Sequence, residues 1–180
     1  VNLAVDVLGR RPDGYHSVSL VLQAISLSDT ITITTTDTKE ITVTCNDSNV
    51  PTDKTNIVYK SAERFFRYTK VENEGINIHK VVPSQAGLGG GSSDGAATVM
   101  GLNKLYNTRL KNKDMEEICS YIGADVPFFI NGGTQLATGI GTDMEKLHSM
   151  PECTIVICKP DVNVSTKEAY DAIDAQPPKQ

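Results

Sequence analysis

The segment Pro83-Ser84-Gln85-Ala86-Gly87-Leu88-Gly89-Gly90-Gly91-Ser92-Ser93-Asp94 carries the strongest chemical signal in the sequence. Four of the five residues from 87 to 91 are glycine, so no Cβ there holds a ligand away from the backbone. A strand-like segment precedes the stretch and a helical one follows it. The first N–H groups of such a helix lack internal partners and carry the positive end of its dipole. Pro83, Gly87, Leu88, Gly89, Gly90, Gly91, Ser92 and Ser93 therefore form a candidate cradle for a polyphosphate. It is neither of two familiar phosphate motifs. No Lys follows the last glycine, as a Walker A loop requires, and Ser92 stands where GxGxxG ends in Gly. A flexible turn with a serine cap is the plainer alternative, and the density of glycine argues against it.

Two other places offer reactive groups. Asp125 lies between Gly123 and Pro127, in a short loop after a helix. A carboxylate there could accept the proton of an attacking alcohol, or it could simply cap the next turn. Tyr15-His16 follows the turn Arg11-Pro12-Asp13-Gly14. An aromatic ring offers a stacking face and an imidazole can hydrogen-bond a base edge. A core tyrosine beside a satisfied histidine is the alternative.

The elements that must position these groups follow from periodicity. Residues 1–8 alternate, with Val1, Leu3, Val5 and Val7 on one face, and read as a strand. A second strand spans 18–25. The β-branched runs 31–36 and 41–44, joined by a short polar link, predict a hairpin. Val58, Ala62, Phe65 and Phe66 predict a helix over 55–68, and 76–82 alternates again as a strand. A helix follows the glycine stretch. Another covers 113–122, with Gly123 expected as its C′ residue. Residues 135–138 read as a short strand and 153–158 as a buried one. Ser165-Thr166-Lys167-Glu168 has the spacing of a capping box and opens a last helix. This order is mixed α+β, without the regular βαβ alternation of a doubly wound sheet.

Composition removes other classes of function. The 180 residues carry 17 Lys+Arg against 22 Asp+Glu, a net charge of −5, and the longest basic run is Arg10-Arg11. A nucleic-acid partner is not expected of such a chain. No stretch reaches the roughly 18 apolar residues of a membrane span. Cys45, Cys119, Cys153 and Cys158 show no CxxC spacing, so no zinc site is indicated and a reducing, cytoplasmic setting is expected. The chain begins without Met inside a strand pattern and reads as a fragment.

Pro83–Ala97 resembles the phosphate loop of the GHMP kinases, relatives of galactokinase, homoserine kinase and mevalonate kinase. Three further segments narrow the resemblance. They are Val1-Asn2-Leu3 with Gly9-Arg10-Arg11-Pro12-Asp13-Gly14-Tyr15-His16, then Gly123-Ala124-Asp125-Val126-Pro127-Phe128, and Gly132-Gly133-Thr134 with Ala137-Thr138-Gly139. Together they resemble the 4-diphosphocytidyl-2-C-methyl-D-erythritol kinases of non-mevalonate isoprenoid biosynthesis, over essentially the whole chain.

The resemblance implies a two-domain α+β kinase. Residues 1–151 would be a ribosomal S5 domain 2-like N-terminal domain, and 152–180 the truncated beginning of a C-terminal domain. It implies ATP and Mg²⁺, and a small-molecule substrate bearing a cytidine diphosphate group. The protein would be a monomer or homodimer in the bacterial cytoplasm or plastid stroma. Asp125 would be the base on the substrate hydroxyl, and Asn2 would hydrogen-bond near the reacting group. The cytosine would lie between Tyr15 and Tyr170 and be read by His16. Asn56 and Lys80 match positions near the adenine site, with a helix cap and a solvated strand lysine as alternatives. The Lys that this family pairs with the catalytic Asp would precede Val1. Gly95 stands where alanine is more usual in the family and weakens its helix by up to about 1 kcal/mol. The role of Asp94 is open. Another GHMP small-molecule kinase and a non-catalytic nucleotide sensor on the same fold remain as alternatives.

Overall fold

The computed structural model describes residues 1–73, 75–81, 88–158 and 166–175. Strands β1 (Asn2–Arg10), β2 (His16–Gln23), β3 (Thr30–Thr35) and β4 (Ile41–Cys45) come first, followed by helix α1 (Ile57–Thr69) and strand β5 (Ile76–Val81). Helices α2 (Gly90–Leu105), α3 (Asn112–Ser120) and the single turn α4 (Phe128–Asn131) follow. The order closes with β6 (Thr134–Thr138), β7 (Asp143–Lys146) and α5 (Thr166–Asp174). The mixed α+β class is as expected.

Two sheets form. One is antiparallel throughout, in the order β1-β2-β6-β7. The other has the order β3-β5-β4, with β3 antiparallel and β4 parallel to β5. The predicted hairpin of 31–36 with 41–44 is therefore corrected. β5 separates the two strands, and Ile78 pairs with Ile33 on one side and Val43 on the other. The reason is burial. Ile76, Ile78 and Lys80 lie on the covered face of β5, so this strand takes the middle of the sheet. Because β4 and β5 are parallel they need a crossover, and α1 supplies it.

The core fills the space between this sheet and helices α1, α2 and α3. Val58, Ala62, Phe65, Ala96, Val99, Leu102 and Ile118 are fully buried there. Cys119 joins them, and burial pushes its thiol up to about 12, out of reach of thiolate chemistry.

Other expectations also change. The β1 alternation is interrupted by register shifts at Asn2/Ala4 and Val7/Gly9, and Leu3, Val5 and Leu8 are exposed on this edge strand. The run 153–158 is not a buried strand. It forms no ladder among the described residues, and Val156 is 88% exposed. An apolar run makes a strand only when an edge is there to pair with it. Tyr121 is the C-cap of α3, which places Gly123 one position beyond the predicted C′. Ser165 lies outside the described residues, and so does the predicted capping box. Among the described residues no helix is long and apolar enough to cross a membrane.

Candidate functional site

α2 begins inside the glycine stretch, so Gly90–Ser93 form its first turn rather than a loop ahead of it. Gly89 is the N-cap, with a left-handed φ of 78° that favours glycine. No side chain caps this end. The Ser93 hydroxyl turns back to donate to the Gly90 carbonyl at 2.8 Å, and the Ser93 amide bonds the Gly89 carbonyl. Gly89 and Gly91 are exposed. Among the described residues no carboxylate or hydroxyl caps this helix start, so its backbone N–H groups and dipole are presented at an exposed end. Pro83 and Gly87 lie outside the described residues.

The loop carrying Asp125 packs along the same end of α2. A Cβ on Gly89 would lie 3.3 Å from the Phe129 ring, and one on Gly95 would lie 3.4 Å from Val126. Val126 is fully buried and anchors the loop, while Asp125 next to it is exposed. The Asp125 carboxylate makes no hydrogen bond or ion pair among the described residues, so the turn-capping alternative lacks its bond. A free carboxylate beside an uncapped helix N-terminus can take a proton from an alcohol held against a bound phosphate.

Beneath this surface lies a cluster of charge. Lys80, at the end of β5, is 5% exposed. Its ammonium bonds Asp94 of α2 and lies 3.3 Å from Asp29, just ahead of β3. Burial works against the lysine charge, but Asp94 and Asp29 outweigh it and raise its pKa above 10.5. Burial pushes the Asp94 carboxyl up to about 6, against Lys80 and with help from Asp29.

At the start of β2 in the antiparallel sheet, His16 stacks on Tyr170 of α5, with ring centroids 4.5 Å apart and planes 17° apart. His16 Nε2 is 2.8 Å from Asp174 Oδ1, and Arg10 lies 3.6 Å from the other oxygen of Asp174. Tyr15 is 63% exposed. Asn2 is exposed on the edge strand and pairs with Leu22.

The family model described as GHMP kinases N terminal domain matches residues 56–133, the span from the α1 cap through the glycine stretch and Asp125 to the end of α4. The chain carries a GHMP kinase N-terminal domain.

It is 43% identical over 180 residues to the 4-diphosphocytidyl-2-C-methyl-D-erythritol kinase of Exiguobacterium sibiricum, covering 98% of this chain and 62% of that protein. Against the kinase of that name from Clostridioides difficile it is 44% identical, covering 97% of this chain and 60% of the relative. A crystal structure of 4-(cytidine 5'-diphospho)-2C-methyl-D-erythritol kinase superposes with a TM-score of 0.77 at 27% identity, covering 96% of this chain and 61% of the other. The chain spans about three fifths of the length of these relatives.

Within the GHMP kinase domain, three residues sit differently from expectation. Asn56 is the N-cap of α1: its side chain accepts from the Val58 amide and donates to the Pro51 carbonyl, and it is 4% exposed. That is the helix-cap alternative. Lys80 is neither solvated nor turned outward, because its ammonium is committed to two carboxylates. Tyr170 lays its face on His16 rather than opposite Tyr15. Asp94, whose role was open, is the partner of Lys80.

Asp29 and Asp174 escaped the sequence reading. Asp29 is one acid in a polar link and gave no signal. Asp174 falls four residues after Tyr170, the spacing that puts two side chains on one helix face, and that signal was available.

Proposed function

We propose that the protein transfers the γ-phosphoryl group of ATP to the 2-hydroxyl of 4-diphosphocytidyl-2-C-methyl-D-erythritol. The observation that carries the reading is the uncapped glycine start of α2 with the uncommitted Asp125 loop packed beside it. The names of the relatives support the choice of substrate. The amides from Gly89 to Ser92 would hold the triphosphate, and the missing Cβ atoms let the phosphates reach the backbone. Mg²⁺ would arrive chelated by the nucleotide. When bound it would neutralise phosphate charge. Asp125 would take the proton of the substrate hydroxyl as its oxygen attacks the γ-phosphorus, and ADP would leave. The work left to the protein is positioning and charge stabilisation.

The cytosine would be held by Tyr15, His16 and Tyr170, with Asn2 near the reacting group. The same reading makes residues from 152 onward the opening of a second domain. It also puts the enzyme in the bacterial cytoplasm or plastid stroma, as a monomer or homodimer.

The test is ADP release by the full natural protein with ATP and Mg²⁺. The panel is 4-diphosphocytidyl-methylerythritol, methylerythritol phosphate, mevalonate, phosphomevalonate and homoserine. Turnover with the cytidine compound alone is expected. Turnover with another member would keep the phosphate site and discard the cytosine site. Bound ATP without any turnover would identify a nucleotide sensor.

A further inference from the structure

The Lys80 cluster joins the two ends of the glycine stretch. Lys80 lies on the strand that leads into the stretch, and Asp94 lies on the first turns of the helix that leads out, 14 residues later. Their ion pair ties β5 to α2. Asp29 arrives from a third segment, the start of β3, which pairs with β5 through Ile31 and Lys80. Its carboxylate rests against the helix start: a Cβ on Gly90 would lie 3.3 Å from Asp29 Oδ2. All three side chains are at least nine-tenths buried, at 7%, 8% and 2% exposure for Lys80, Asp29 and Asp94. None reaches the exposed surface of Gly89 and Gly91.

We propose that Lys80, Asp94 and Asp29 are positioning residues that hold the amides of Gly89–Ser92 in place for the triphosphate, and that none of them touches the nucleotide. The inference rests on the ATP site proposed above. The ammonium ties α2 to β5, and Asp29 sets how closely the first turn of α2 approaches the sheet. An anion site built from backbone amides depends on such support, because amides cannot re-aim themselves as side chains can.

The decisive variant is Asp94→Asn in the full natural protein. It leaves Lys80 paired with Asp29, so it is the substitution the buried cluster tolerates best. Titration with Mg²⁺-ATP and with ADP should show binding weakened about tenfold, and KM for the second substrate should stay within about twofold. Hydrogen exchange of the Leu88–Ser93 amides in the ligand-free variant should be faster. The double variant Lys80→Met/Asp94→Asn should bind ATP no worse than Lys80→Met alone, because removing the ammonium already cuts its ties to both Asp94 and Asp29.

Unchanged affinity and exchange in a folded Asp94→Asn protein would overturn the inference. Multiplying losses in the double variant would also overturn it, since they would mean that Asp94 and Lys80 act on ATP binding independently rather than through their ion pair. If the unaltered protein binds no ATP, the proposed ATP site fails, and with it the role assigned to the cluster. The exchange measurement would still report whether the tie itself exists.

Discussion

Gly95 offers a test in which two physical effects have opposite signs. Replacing a helix-interior glycine with alanine adds about 1 kcal/mol from propensity. On that ground Gly95→Ala should stabilise α2. The packing says otherwise. A Cβ at Gly95 would fall 2.9 Å from Ser61 Oγ on α1, and 3.4 Å from both Ile57 and Val126. Ser61 is fully buried, and its hydroxyl finds no partner among the described residues. Overpacking of this kind costs about 1–3 kcal/mol, so the single variant should come out between neutral and about 2 kcal/mol less stable. Adding Ser61→Ala removes the clashing atom, and it also removes a buried, unsatisfied hydroxyl whose desolvation costs about 1–3 kcal/mol. The double variant should therefore exceed the natural protein by about 2 kcal/mol, an upward Tm shift of roughly 4–8 °C for a domain of this size. Thermal and urea unfolding followed by circular dichroism would measure both. A single variant as stable as the double would refute the Ser61 argument. A destabilised double would mean that Ile57 and Val126 are the limiting contacts.

Three more expectations concern the site. Asp125→Asn should lower kcat about 10²–10⁴-fold while ATP still binds, and near-normal turnover would remove Asp125 as the base. Tyr170→Ala should raise KM for the cytidine substrate about 5–150-fold, the equivalent of losing 1–3 kcal/mol of stacking, with little change in KM for ATP. An unaltered substrate KM would end the stacking role. The third expectation is a pH dependence. The Asp94 carboxyl is raised from 3.8 to about 6, with Lys80 from β5 and Asp29 from the start of β3 facing it. A carboxyl raised by folding adds stability below its unfolded pKa and loses it as pH climbs through its folded value. This group should therefore make the protein less stable between pH 4 and about 6. Asp94→Asn should flatten that part of the unfolding profile, and an identical slope in the variant would exclude Asp94 as its source.

The longer helices were legible in the sequence because their signals are local, whereas the single turn α4 was not. Val58, Ala62 and Phe65 recur at helical spacing, and the glycine stretch announces its own backbone geometry. Strand order was not legible, because nothing in 31–36 or 41–44 says that a strand from residue 76 onward will enter between them. That choice is made by the buried face of β5. The chemistry divides in the same way. The loop context of Asp125 left it open between a base and a turn cap, and only the family resemblance chose the base. Asn56 was matched to the adenine site with a helix cap as the alternative, and its side chain is spent on the cap. Lys80 was placed near the site, but its burial could not be foreseen, since both of its partners come from elsewhere in the chain. The pairing of Gly95 with Ser61 is equally silent in sequence: two small residues 34 positions apart become a constraint only when α1 and α2 cross.

The proposed phosphate-binding part of the site is attached to the N-cap and the first six residues of α2, and they divide by direction. Gly89 and Gly91 face solvent without side chains, which leaves the helix end open to an anion. Asp94 points inward to Lys80, and Gly95 lets Val126 come close, which keeps the neighbouring Asp125 beside the helix. Successive residues on a helix turn by about 100°, so one and a half turns are enough to present an anion site on one side and two separate anchors on the others. A bulky residue at 90 would strike Asp29, and one at 95 would strike Ser61. The glycines at 90 and 95 are thus set by packing on the buried sides of α2, and that at 89 by its left-handed φ and the nearby Phe129 ring, whereas that at 91 is left to the ligand of the proposed site. The two sets can be told apart by experiment. Alanine at 90 or 95 should act on stability, while alanine at 91, where the nearest atom to a new Cβ is Ile57 at 3.7 Å, should act on ATP binding and leave stability almost unchanged.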